Sequence, residues 1–183
     1  MTLETDGSST ASATGADPAN RSPDPQRLLC IYLSDHRAGA EAGCARAKRF
    51  AEANASGFLG GAASDVFRQI EEDVRTLDEI LDRVGCRPSG WKNLAARGAE
   101  LFGRLKLNGQ LRGYSPLSRL IELELLIAGI VTKESLWQTL AASQEHRPQL
   151  SDFDFDALQH RAIDQRMQLE SHRGATVAEA FRR

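Results

Sequence analysis

His36 and its neighbour Asp35 stand in a long helical pattern, where an imidazole and a carboxylate together are ligands for a metal ion. Other polar groups fall at comparable places. Glu71 flanks the apolar pair Ile70 and Val74, and Asp78 follows two turns on. Glu124 is in line with Leu117, Ile121, Ala128 and Val131, and Gln165 follows Asp164 in the last long helical stretch. A buried carboxylate is costly unless it is paired or metal-bound, so convergence is what would make these residues a site. Converging, Asp35, His36, Glu71, Glu124 and Gln165 offer oxygen and imidazole ligands suited to iron, manganese or zinc. Without a metal they form a structural polar layer that fixes helix register. Glu124 would then pair with His36 or an arginine, and Glu71 and Asp78 with Arg68, Arg75 or a neighbouring lysine.

Other chemistry is thinner. Cys44 lies two turns from His36, but among alanines it reads as a small packed hydrophobe rather than a nucleophile. There is no Gly-x-Ser-x-Gly elbow, no P-loop and no Gly-x-Gly-x-x-Gly. His160 with Asp164, and Gln168 with His172, are one-turn pairs of the kind found on solvated helix faces. The three cysteines, Cys30, Cys44 and Cys86, are odd in number and dispersed, which argues against a disulfide framework or a zinc knuckle and for a reducing cytosol. A net charge of -2 gives no electrostatic case for nucleic acid.

The elements that position these residues follow from periodicity. Residues 1–25 are Ser, Thr, Ala, Gly, Asp and Pro with almost no large apolar group, the composition of a disordered tail. They lack the basic and apolar regions of a signal peptide. From Gln26, the series Leu29, Leu33, His36, Ala40, Gly43, Ala47 and Phe50 marks one face of a helix, which residues 54–61 stop. A second helix is predicted from near Ala62, capped by Ser64, with a stripe of Phe67, Ile70, Val74, Leu77, Leu81 and Val84, and Gly85 as its stop. A third, shorter helix is predicted over residues 90–107, with Trp91, Leu94, Leu101 and Leu105 on one side and basic residues on the other. Ser115-Pro116 opens the fourth, which runs to about Ala142 and is apolar most of the way round, as a central helix is. Glu122 and Glu124 interrupt its most apolar run, so there is no membrane span. The fifth starts near Asp154, with Gly174 ending or kinking it and a short helix over residues 175–181. No strand alternation or fixed-period repeat occurs.

Four long helices and a short connector give an all-α fold, an antiparallel four-helix bundle over residues 26–183, either with a crossover between two hairpins or up-down with the short helix capping one end. The order of helices, the Glu-x-Glu of the fourth and the Asp-His of the first resemble the ferritin-like superfamily over residues 26–172. That resemblance implies a Glu on each of two helices and a Glu-x-x-His on each of the other two. Here Val74 stands three residues after Glu71, Arg75 after Glu72 and Met167 after Asp164, so neither Glu-x-x-His is present. The resemblance therefore implies a degenerate member that keeps the bundle and has lost or altered the metal site.

The function expected is non-catalytic: a cytoplasmic structural or protein-interaction bundle with an internal polar layer, homo-oligomeric or bound to a protein partner. The alternative is a divergent ferritin-like protein that binds iron or manganese in metal or peroxide handling. A third is a pocket between helices in which the same polar groups orient a small molecule.

Overall fold

The computed structural model describes residues 24–86 and 114–182. The third helix expected over residues 90–107, and all but the last two residues of the expected tail, lie outside the described residues. Among the described residues the regular structure is entirely helical, with no strand.

Helix α1 spans Pro25–Asn54. The Asp24 carboxylate accepts from the Gln26 N–H at 3.0 Å, and Pro25 occupies a position where no N–H is needed. Helix α2, Gly60–Arg83, follows a tight turn. A Cβ at position 60 would lie 2.5 Å from the Ala55 carbonyl oxygen, so only glycine fits this close approach. Ser64, expected to cap α2, lies inside it, and its capping position is held by Leu59. Gly85 ends α2 at φ 69°, with Cys86 N–H on Leu81 O at 2.8 Å and Gly85 N–H on Asp82 O at 3.1 Å. That is a Schellman motif, which satisfies the last carbonyls of α2 and turns Cys86 back toward it.

Helix α3, Pro116–Ser143, starts as expected, with the Ser115 hydroxyl accepting from the Ser118 N–H at 3.1 Å. Two 3-10 turns, Gln144–His146 and Pro148–Leu150, lead to α4, Phe155–Ser171, capped by Asp154. Gly174 does not end α4. The break falls at His172, and Gly174 lies in the first turn of α5, Arg173–Phe181.

Helix α1 packs on α2 and α3, and α4 packs on α3 and α2. At one end Gln26 Nε2 donates to Val84 O at 2.7 Å, Arg147 donates to Gln26 Oε1 at 2.7 Å, and Arg83 pairs with Asp152 at 2.7 Å. At the other, Asn54 donates to the Tyr114 hydroxyl at 3.0 Å and accepts from Arg119 Nε at 2.5 Å. Neighbouring helices are thus antiparallel. The chain leaves α2 where α1 begins and enters α3 where α1 ends, so the two hairpins are joined from one end of the bundle to the other. Trp137, Phe50, Leu33, Leu77, Leu123 and Leu169 form the centre of the core.

The expected absence of a disulfide does not hold. Cys30 and Cys86 form a disulfide, with Cα atoms 4.9 Å apart, and Cys44 alone keeps a free thiol. The Schellman turn after α2 brings Cys86 beside the first turns of α1 despite a sequence separation of 56. Structural disulfides belong mainly to oxidising compartments, so the cysteines no longer supply the reason for a cytoplasmic location. No helix of the described residues is long and apolar enough to cross a membrane.

Candidate functional site

A cavity of about 340 Å³ lies between α1, α2 and α3. Its formation follows from the small residues on α1 and α3. Gly39 and Gly43 are one turn apart on α1, Gly129 faces them from α3, and a Cβ at any of the three would meet nothing within 4 Å. Where helices carry no side chain they leave space, and Ile70, Leu77, Leu126 and Ile130 make the rest of the lining largely apolar.

Charge enters at one wall. Asp73 of α2 is 3% exposed and has a lysine, an arginine and an amide around it. Lys133 of α3 and Arg161 of α4 both donate to it, and Gln165 Nε2 donates to its Oδ2 at 3.2 Å. Lys133 also donates to Gln165 Oε1, and Arg161 lies 3.7 Å from Glu72. Three helices are therefore tied through one buried carboxylate whose partners satisfy both oxygens, the condition under which a buried charge is tolerated. Burial pulls the Lys133 ammonium below its ordinary value, and Asp73 opposes that pull. Of these residues Asp73 and Lys133 line the cavity.

At the α1 side stand His36, Asp35 and Arg46. The half-buried His36 ring meets Tyr32 edge-on at 4.5 Å. Burial lowers its pKa and the Asp35 charge partly offsets this, so the imidazole is held toward its neutral form.

The five residues singled out by sequence are not brought to one place. Asp35 and His36 line the cavity, and Gln165 is buried on the far side of Lys133. Glu71 is exposed, and Glu124 is exposed and paired with Arg173 of α5 at 3.1 Å. The α3 stripe expected to be core, Leu117, Glu124, Ala128 and Val131, faces outward. The buried acid of that Glu-x-Glu is Glu122, 2% exposed and paired with Arg49. Among the described residues no group of three or more His, Cys, Asp or Glu side chains is placed to hold a metal ion.

Sequence reasoning missed Asp73 and Lys133, although a signal for both exists. The spacing of Val66, Ile70, Leu77 and Ile80 passes through position 73, and that of Leu126, Ile130, Trp137 and Leu140 passes through 133. Compared with known proteins, the chain matches no family model, no curated protein and no solved structure.

Proposed function

We propose that the protein is a non-catalytic bundle of ferritin-like connectivity whose cavity between α1, α2 and α3 binds a small, largely apolar molecule. The observation that carries this reading is the cavity itself: about 340 Å³, mostly apolar, with a few fixed polar groups on its wall. Ligand pockets share that composition and fall in the range of about 300–1,000 Å³. Scaled from an apolar cavity of about 150 Å³ that holds benzene, it accommodates on the order of a dozen non-hydrogen atoms. The crossover between hairpins supports the ferritin-like connectivity. The internal polar layer expected from sequence has a counterpart in Asp73, Lys133, Arg161 and Gln165, which tie α2, α3 and α4 across the bundle.

The test is calorimetric titration with 1-decanol against the native protein and Gly43→Leu. A leucine here grows into open space on the cavity lining. The expected result is saturable binding to the native protein and none to the variant, with a melting temperature of the free variant at or above the native value. Absence of binding to the native protein, or equal binding to both, overturns the reading.

A further inference from the structure

We infer that the cavity takes a small apolar carboxylate whose oxygens accept hydrogen bonds from α3, an inference resting on the cavity being a binding site. A count of donors and acceptors on its buried wall carries this. Asp73 Oδ1 takes Arg161, and Oδ2 takes Lys133 and Gln165. The Gln165 carbonyl takes Lys133 as well. The buried side-chain acceptors at this wall are therefore occupied.

The donors are not. An ammonium has three N–H groups, and Lys133 places two, on Asp73 and Gln165, leaving a third. Trp137 is 1% exposed, lines the same cavity, and its Nε1–H has no acceptor among the described residues. Buried polar groups nearly always find a partner, so one without is the mark of a missing acceptor. Lys133 and Trp137 are one turn apart on one face of α3, so a head group on Lys133 lies beside the Trp137 ring.

The charge favours an anion over a neutral carbonyl. Two cations, Lys133 and Arg161, share the single charge of Asp73, with Glu72 more distant on Arg161. From α1 the lining carries Arg46 and Asp35, of opposite charge, so the excess at the wall is that of Lys133 and Arg161. A hydrogen bond from an ammonium to a carboxylate is among the stronger ones available. The rest of the lining takes an apolar tail, of a length set by the dozen or so atoms that fit.

The head-group series decanoate, 1-decanol and decylamine tests this. It is run on the full-length Trp91→Phe variant, in which Trp137 is the only tryptophan, with indole emission and calorimetry as readouts. Decanoate is expected to bind about ten-fold more tightly than decanol and to shift Trp137 emission, with no measurable binding of decylammonium. Lys133→Met is expected to weaken decanoate about ten-fold and leave decanol nearly unchanged. If that variant does not fold, as judged by circular dichroism, the series on the parent decides alone. Equal affinity for decanoate and decanol, or preference for decylammonium, overturns the carboxylate inference and leaves the apolar cavity standing. No binding of any of the three overturns both.

Discussion

Reduction of the Cys30–Cys86 bond lowers the stability of the bundle by an amount that its position fixes in advance. The bond closes a loop with a sequence separation of 56. In the chain-entropy account such a loop removes about 14 cal/mol/K from the unfolded ensemble, or about 4 kcal/mol at 25 °C. For a chain of this size that corresponds to a fall of roughly 10 °C in melting temperature. The loop contains most of α1 and all of α2, a hairpin whose ends are already neighbours, so any residual pairing in the unfolded chain brings the value down toward about 2 kcal/mol. The assay is urea unfolding followed by circular dichroism, with and without a phosphine reductant. Cys30→Ala/Cys86→Ala serves as the control that reductant does not affect. Mass spectrometry of unreduced peptides checks the pairing first. The native protein is expected to lose about 2–4 kcal/mol on reduction, while the double variant does not respond. A loss below about 1 kcal/mol in protein shown to carry the bond would refute the reasoning, because cross-linking would then not be constraining the unfolded chain.

Three further outcomes follow from the same geometry. Asp73→Asn leaves Lys133 buried beside a neutral amide and is expected to cost about 3–5 kcal/mol by urea unfolding; Lys133→Met costs less, because Arg161 remains on Asp73. The His36 pKa is lowered in the fold, so the unfolded chain binds the proton first as pH falls. Stability is full above the ordinary histidine value near 6.5 and is lost as pH drops through it toward the folded value. In His36→Phe that part of the loss disappears from the pH dependence of unfolding. Gly39→Ala, at a helical position with open space, is expected to raise stability by about 1 kcal/mol, whereas Gly60→Ala lowers it, because the new methyl meets the Ala55 carbonyl. Thermal unfolding of both reads the sign.

What the sequence discloses, and what it hides, has a physical pattern. Local signals read well. Ser115-Pro116, Asp154 and Gly85 mark the element ends they were expected to mark, because capping depends on a few adjacent residues. The inward face of α1 is also legible, since Leu33, Ala47 and Phe50 are buried as their spacing requires. On α2 two interleaved stripes fit the apolar pattern, and the one chosen skips Asp73. Helix α3 is apolar nearly all round, so periodicity gives it little direction, and the buried acid is Glu122 where the pattern points to Glu124. Gln165 is buried, but its partners come from α2 and α3 and leave no local trace. The disulfide was equally illegible, because three cysteines allow several pairings and only the turn after α2 selects one.

The contacts of Gln26 set a schedule for the chain during synthesis. Its side chain holds Val84 and Arg147, which are 58 and 121 residues further on. At about 5–20 residues per second, Arg147 leaves the ribosome on the order of ten seconds after Gln26. Over that interval the first turn of α1 has its cap but not its partners. Cys30 and Cys86 are both made before Arg147, so their pairing does not have to wait for the second half of the bundle. Until α3 and α4 are made, the apolar face of the α1–α2 hairpin lacks the helices that cover it.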